Sequence, residues 1–216
     1  MTSQTMTADP GLGKNRPSKK QQILDAALNL FVQQGIEATA TAQIAKRAGV
    51  ATGTLFHHFA SKEALIQALY WQIKQQLADA ALAAEPSKEE DDLKRQARHY
   101  WDCALGWALA HPDALKFIGQ LYHSPARDEH LEQQAMTQLL HFVPRMLEQG
   151  SALGLLRSAP MDLTLALCHS HFLASAHYFI LHPQKATQST YLDSAFEHLW
   201  NGLLHFPLHE ELVLSH

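Results

Sequence analysis

Apolar residues recur along most of the chain at intervals of three and four positions, which is the period of an amphipathic α-helix. The first stripe holds Ile23, Leu30 and Phe31. Gly35 follows, where a glycine commonly ends a helix. Glycine and proline residues divide the rest of the sequence into segments of helical length, and none shows the strict alternation of a half-buried strand. The pattern therefore predicts an all-α fold of about nine helices.

Four helices are predicted over residues 18–75, and hydroxyl side chains mark where three of them begin. A hydroxyl at this place accepts a hydrogen bond from a free N–H group of the first turn. The predicted caps are Ser18, in a capping box with Gln21, and then Thr41 and Ser61. Gly49 permits a tight turn before a third helix that runs from about Thr52 to His58.

Five further helices are predicted within residues 76–216. They span about 87–111, 112–125, 126–150, 160–182 and 188–206. Pro86 and a capping box of Ser87 with Glu90 mark the start of the first. Pro144 lies inside the third and should kink or divide it, because the proline ring removes a backbone donor.

The charge is unevenly distributed along the sequence. The net charge is −4, yet residues 1–62 hold seven Lys or Arg against three acidic side chains, whereas residues 63–216 hold ten against eighteen. Residues 1–17 include Lys14 and Arg16 and lack a helical period, so we predict a flexible basic tail there. A basic N-terminal end on an acidic protein indicates that this end meets phosphate.

Composition excludes several classes of protein. Hydrophobic residues make up 46% and charged residues 18% of the chain, which is typical of a globular protein and not of a disordered one. No apolar run is long enough to span a membrane, and the first residues lack a signal core, so we expect a cytoplasmic protein without a membrane partner. Cys103 and Cys168 are too few for a disulfide framework or a Cys-rich zinc site.

Residues 41–65 read TAQIAKRAGVATGTLFHHFASKEAL and predict a helix-turn-helix. Two short helices joined by a turn at Gly49, with the small Ala45 and Ala48 at their contact, match the crossed pair of this motif. Such a pair places the N-terminus of its second helix in the major groove of DNA. At that end Thr52 and Thr54 offer short hydroxyl side chains, so the helix can approach bases and phosphates closely.

Residues 18–75 resemble the DNA-binding domain of the TetR family of transcriptional regulators. The resemblance is carried by Thr41, Ile44, Ala45, Ala48, Gly49, Val50, Gly53, Thr54, Leu55, His58, Phe59, Ser61, Lys62, Glu63 and Leu65. It implies a three-helix helix-turn-helix domain over 18–75 and a helical effector-binding and dimerisation domain over 76–216. It also implies a homodimer that represses transcription by binding a palindromic double-stranded DNA operator and leaves it when a small-molecule effector binds.

The resemblance places DNA contacts at Thr41, Thr52, Gly53, Thr54, Phe56, His58 and Lys62. For Thr41 and Thr52, helix capping is an equal alternative, because threonine is a common N-cap. Two positions depart from the family's usual pattern: Phe56 stands where tyrosine is usual, and Ala42 stands where a longer, often basic residue is common. We therefore predict few phosphate contacts and a shallow dependence of DNA affinity on salt.

Large side chains on the later helices are candidates for an effector pocket. These candidates are Trp101, Trp107, Phe117, Tyr122, Phe142, His171 and Phe172. Such residues line ligand cavities, although apolar stripes at helical spacing more often form plain core. They favour an apolar or aromatic effector.

Histidine and cysteine side chains are concentrated in the eighth predicted helix. Cys168 and His171 share a helix face, which is possible for a metal pair, but a metal site needs three or four ligands. We therefore predict no metal and assign the histidines to hydrogen bonds in a pocket or interface. An enzyme with Cys168 as nucleophile is a further alternative. With no Gly-rich phosphate loop, nucleophile elbow or HExxH motif, we expect neither an enzyme nor a cofactor.

The eighth and ninth predicted helices carry residues suited to a dimer interface. They are Ala166, Ser170, Ala174, Tyr191, Ala195, Leu199 and Leu203. A two-fold dimer would match half-sites one or two helical turns of DNA apart, whereas packing within one chain is the alternative. A second functional alternative is a protein that recruits a partner to DNA without any effector. A filled core would favour that alternative, and an open cavity would favour the ligand-responsive regulator.

Overall fold

The computed structural model describes residues 17–83 and 93–205, and within them the all-α prediction is confirmed. These ranges form ten helices: α1 (Lys19–Gln34), α2 (Thr41–Arg47), α3 (Thr52–His58), α4 (Lys62–Leu82), α5 (Leu93–Ala110), α6 (Pro112–Tyr122), α7 (Glu129–Gln138), α8 (Phe142–Ala152), α9 (Met161–Leu181) and α10 (Ser189–Leu203). None of these helices is both long enough and apolar enough to cross a membrane. The predicted tail up to residue 16, the capping box at Ser87 and the predicted helix end at 206 lie outside the described residues.

The first helix and the fourth begin at the predicted serine caps. Ser18 Oγ accepts a hydrogen bond from the Gln21 N–H at 3.1 Å, and Ser61 Oγ caps α4 in the same way. The other half of the predicted capping box is absent, because the Gln21 side chain donates to Asp25. Gly35, with φ +90°, follows the last residue of α1. Local sequence signals therefore determine where α1 begins and ends.

The seventh predicted helix, over 126–150, is divided into α7 and α8. Pro144 lies in the first turn of α8, where the missing N–H would have had no partner in the helix. The break itself falls at residues 139–141, just before this turn. The division accounts for ten helices where about nine were predicted.

One hydrophobic core joins the helix-turn-helix to later helices. Phe31 of α1 stacks on Phe117 of α6 with ring centroids 5.8 Å apart, and both side chains are fully buried. The same cluster includes Leu65 and Leu69 of α4 and Ala135 of α7. The predicted domain boundary at 75/76 lies inside α4, which continues without interruption to Leu82. The two predicted domains therefore share a helix and a core.

A second group of aromatic side chains packs α5 against α9 and α10. Trp101 lies 5.7 Å from Phe172 in an edge-to-face arrangement, and Phe196 stacks on Trp200 at 6.2 Å. Offset and edge-on ring pairs are the arrangements that aromatic rings prefer. These helices, with α4, α7 and α8, enclose the space described next.

Candidate DNA interface and effector cavity

The turn between α2 and α3 is built by local backbone geometry. Gly49 has φ +68°, a conformation that costs side-chain-bearing residues energy, and the Val50 N–H donates to the Ala45 carbonyl at 3.0 Å. Leu55 and Phe59 are buried beneath the turn. The predicted extent of the third helix, residues 52–58, is confirmed.

The opposite face of α3 is exposed. Thr52 and Phe56 are one helical turn apart, as are Gly53 and His57, and all four are open to solvent, with Phe56 45% exposed. The N-cap of α3 is Ala51, and the Thr52 hydroxyl makes no hydrogen bond within residues 17–83 and 93–205. The capping alternative for Thr52 is therefore wrong.

Thr41 is the first residue of α2 and not its cap, which corrects the sequence prediction. Ala40 occupies the cap position, and its N–H donates to the Gln43 side chain at 3.1 Å. Lys62, another predicted contact residue, donates from Nζ to the Glu37 carbonyl at 3.2 Å, which holds its side chain against the loop between α1 and α2.

Of the other predicted DNA-contact residues, Thr54 is half-buried and His58 is exposed at the edge of α3. His57 was not among the predicted contacts, although it is exposed on the same face as Gly53 and Phe56. Because His57 lies one helical turn after Gly53, the sequence spacing alone could have placed it on the face of α3 predicted to contact DNA.

A largely apolar cavity lies between α4, α5 and α7 to α10. The cavity volume is about 160 Å³, and the cavity is partly open to solvent. Three predicted pocket residues line it: Trp101, Phe142 and Phe172. Much of the remaining wall consists of residues the sequence analysis did not select, among them Leu77, Met136, Leu140, Met146, Leu165 and Trp200. Such a wall suits the apolar part of a ligand.

Lys74 of α4 reaches this cavity from the buried face of its helix. It is 6% exposed and is the one buried charged side chain in the described part of the chain. Burial lowers the pKa of Lys74 to about 8, so the ammonium form still predominates at pH 7. Tyr70, one turn earlier, places its ring 5.4 Å from Nζ.

A second, more polar cavity adjoins the first and shares Lys74, Met136, Leu165 and His169 with it. The predicted pocket residue Tyr122 lines this second cavity rather than the first. The two cavities therefore meet at one wall, where the apolar space ends.

An ion pair forms part of the second cavity's wall. Arg127 donates two parallel hydrogen bonds to the Glu132 carboxylate, each at 3.0 Å. The Arg127 guanidinium also lies 4.2 Å from the centre of the Tyr122 ring. Paired carboxylate and guanidinium groups of this geometry are among the stronger hydrogen-bonded pairs. Arg127 and Glu132 therefore already serve as each other's hydrogen-bond partner.

His169 lies at the wall common to both cavities. Its Nε2 is buried and has no hydrogen-bond partner among the described residues. Burial, together with the positive charges of Lys74 and Arg127, lowers the pKa of His169 to about 3. The imidazole is therefore neutral at pH 7, with one buried nitrogen unsatisfied.

Three other predicted pocket residues lie elsewhere. Phe117 is a core residue against Phe31, and Trp107 stacks on His111 at 4.8 Å, so neither lines the two adjoining cavities. His171 donates from Nε2 to the Ala195 carbonyl of α10 at 2.8 Å and lines a separate groove. Sequence position could not distinguish these packing roles from a place on a cavity wall.

The sequence pattern around Lys74 indicates that this lysine is buried. The residues one helical turn before and after it, Tyr70 and Ala78, are buried apolar positions of the same stripe. A lysine in such a stripe is unusual, because lysine is almost never fully buried unless it is paired. His169 likewise shares a helix face with Leu165 and Phe172.

Neither chemical alternative for Cys168 gains support from its surroundings. Burial raises the pKa of the Cys168 thiol to about 11, which keeps it protonated and weakly nucleophilic. Across residues 17–83 and 93–205, no three His, Cys, Asp or Glu side chains come together as metal ligands.

The outer face of α9 is apolar and exposed. Ala166, Ser170 and Ala174 are all exposed there. The larger exposed residues of α9 are Leu163, Leu167, Tyr178 and Leu181, of which Leu167 and Leu181 are each 61% exposed. The stripe on α10 behaves differently: Tyr191, Ala195, Leu199 and Leu203 pack within their own chain.

Comparison with known proteins agrees with the fold and the position of the helix-turn-helix. A family model of bacterial regulatory proteins of the tetR family matches residues 23–69. A crystal structure assigned to the tetR family of transcription regulators, from Shewanella sp. PV-4, is 42% identical, covering 88% of this chain and 100% of that one with a TM-score of 0.83. The chain therefore belongs to the TetR family of DNA-binding transcriptional regulators.

Two further relatives are more distant. The HTH-type transcriptional regulator YvkB of Bacillus subtilis is 29% identical over 169 residues, which are 75% of this chain and 85% of YvkB. The transcriptional regulator FadR of Bacillus subtilis, solved in complex with stearoyl-CoA, is 19% identical with a TM-score of 0.69, covering 85% of this chain and 98% of FadR. At that identity the likeness to FadR extends to the fold alone.

Proposed function

We propose that this regulator is a repressor that binds a palindromic operator as a homodimer and is released when a small molecule enters the apolar cavity. The observation that carries the proposal is the position of α4. Its first half packs into the helix-turn-helix core through Leu65 and Leu69, and its second half lines the cavity through Lys74 and Leu77. A ligand that displaces the second half would move the first. The open cavity supports this function over partner recruitment without an effector.

Two polar contacts offer further coupling between the regions. The Ser124 hydroxyl, after α6, donates to Glu37 at 2.9 Å in the loop before α2. Gln67 of α4 donates to Asp128, the N-cap of α7, at 3.1 Å. Because α7 also contributes Met136 to the cavity, ligand binding would favour one arrangement of these contacts and shift the population of α3 positions.

The proposed operator contacts combine the predicted residues with one addition. They are Thr41, Thr52, Gly53, Thr54, Phe56, His58 and Lys62, together with His57. The exposed face of α3 supports the residues on that helix, and its N-terminus is the end that enters a groove in this motif. Lys62 would exchange its bond to Glu37 for a phosphate.

The proposed dimer forms mainly through α9. Exposed apolar patches of this kind mark interaction sites, and the symmetric pairing of one helix face is a two-fold contact. The predicted stripe on α10 contributes to packing within the chain, so we assign α10 a smaller share of the interface than α9.

The dimer is tested by Leu167→Glu, which places a charge in the proposed interface. We expect a dimer for the wild-type protein and a monomer for the variant in size-exclusion chromatography with light scattering. Leu153→Glu is the matched control, because Leu153 has the same 61% exposure but lies at the end of α8. A monomeric wild type, or equal effects of both substitutions, would contradict this assignment.

The regulatory proposal is tested by selecting bound fragments from genomic DNA and defining the operator by footprinting. We expect a two-fold symmetric footprint and release by a compound that binds the protein in the absence of DNA. Preference for no sequence over random DNA would exclude operator binding. A compound that binds the cavity without altering operator affinity would exclude the release mechanism for that compound's class.

A further inference from the structure

Lys74 and His169 are polar side chains at one wall of a largely apolar cavity. Lys74 is a buried cation, and its Nζ lies 5.4 Å from the centre of the Tyr70 ring. His169 presents a buried Nε2 without a partner in the same ranges. Buried polar groups are almost always hydrogen-bonded, and a buried charge is normally paired. A buried ammonium and an imidazole nitrogen without a partner on the same cavity wall suit an anionic ligand group.

We propose that the effector is an amphipathic organic monoanion, such as a carboxylate with an apolar body, whose anionic group binds between Lys74 and His169. This inference rests on the proposed function, because it takes the apolar cavity to be the effector site. The apolar body would lie against Trp101, Phe172 and Leu165.

The neighbouring charges favour a single negative charge on the ligand. Arg127 is held by Glu132 in two hydrogen bonds and lies 3.9 Å from Glu129, so it is not free to bind a second charge. The negative charge of Glu132 partly offsets the lowering of the Lys74 pKa by burial. Lys74 is therefore the cation of this wall that can bind one anionic group, and a dianion would leave a buried excess charge.

His169 supplies the second contact. Because it is neutral at pH 7, its Nε2–H tautomer can donate a hydrogen bond to an anionic oxygen without adding a charge. The ammonium of Lys74 donates to the same group. Together they distinguish a carboxylate from an alcohol, which gains no charge-assisted bond, and from an amine, whose positive charge would meet Lys74.

The test compares decanoate, decanol and decylamine, which share one apolar chain and differ in the head group. Binding to the full-length protein without DNA is measured by calorimetry at pH 7. We expect decanoate to bind at least about ten-fold more tightly than decanol, as a charge-assisted hydrogen bond implies, and decylamine to bind weakest.

Variants then locate the anionic group. Lys74→Met should reduce decanoate binding to the level of decanol and leave decanol binding unchanged, whereas His169→Phe should reduce decanoate binding by a smaller factor. Lys116→Met, which removes an exposed lysine on α6, is the matched control and should change nothing. A thermal unfolding curve establishes that each variant is folded.

The inference is overturned if none of the three compounds binds, if decanol or decylamine binds as tightly as decanoate, or if Lys74→Met leaves decanoate binding intact. A different result would contradict the proposed function. If decanoate binds through Lys74 and operator affinity does not change, the ligand class stands and ligand-induced release does not.

Discussion

The helix-turn-helix and the cavity region satisfy their buried polar groups differently. Three buried side-chain nitrogen or oxygen atoms lack a hydrogen-bond partner among the described residues, and all belong to the later region: Trp101 Nε1, Gln120 Oε1 and His169 Nε2. Over residues 17–69, Thr39 is the one buried polar side chain, and its hydroxyl donates to the Gly35 carbonyl at 2.7 Å. The helix-turn-helix exposes its candidate DNA-binding side chains on the surface. The cavity region instead buries polar atoms without partners, which lowers the free energy of unfolding.

The largest expected effect is in the first region. Leu55→Ala removes a fully buried side chain of α3, and we expect the free energy of unfolding to fall by about 2–5 kcal/mol. His57→Ala on the exposed face should leave that free energy nearly unchanged and weaken operator binding instead. Urea unfolding and a DNA-binding titration separate the two outcomes. Equal stability losses would show that the exposed face also supports the core.

Lys74→Met should change the free energy of unfolding in the opposite direction to Leu55→Ala. Removing a buried charge while keeping the apolar stem should raise the free energy of unfolding at pH 7 by about 3 kcal/mol, at roughly 1.36 kcal/mol per pKa unit between the ordinary value of 10.5 and about 8. Below pH 8 the lysine is charged in both states, so the full cost is present. Between pH 8 and 10.5 the folded state loses its proton first, and the wild type gains stability.

Urea unfolding at pH 7 and pH 10 measures whether Lys74→Met raises the free energy of unfolding. The difference between Lys74→Met and wild type should shrink at the higher pH, whereas the exposed control Lys116→Met should show no such trend. A variant less stable than wild type at pH 7 would mean that Lys74 already has a stabilising partner.

Two glycines in the later region provide a smaller contrast. A Cβ at Gly150 would lie 2.5 Å from Leu156 Cδ1 and 2.6 Å from Leu93 Cδ2, so Gly150→Ala should destabilise by about 1–3 kcal/mol. Gly106→Ala, in the exposed part of α5 with nothing within 4 Å, should stabilise by about 0.5–1 kcal/mol through better helix propensity. Thermal or urea unfolding measures both, and the same sign for both would contradict this packing.

The smallest expected effect concerns salt. Because Ala42 offers no charge, we expect a shallow salt dependence of operator affinity. Ala42→Arg should steepen the slope of log affinity against log salt by about 0.9 if it neutralises one phosphate. Ala83→Arg, exposed at the end of α4, is the control. An unchanged slope would place residue 42 away from the DNA backbone.

The features predicted correctly from the sequence are those controlled by local interactions. The serine caps, the end of α1 at Gly35 and the turn at Gly49 depend on residues a few positions apart. The places of Trp107 and Phe117 could not be predicted, because the sequence pattern around a large apolar side chain is the same whether that side chain fills a core or lines a cavity.

By itself, the sequence determined the helical class, the helix-turn-helix and its exposed and buried faces, because hydrophobic periodicity and turn chemistry act over one or two helical turns. The tertiary structure alone decided that α4 belongs to both regions, that α9 is exposed while α10 packs inward, and that Lys74 and His169 line the same cavities. Those outcomes depend on contacts between distant helices, where the same side chain is stabilising or costly according to what lies opposite it.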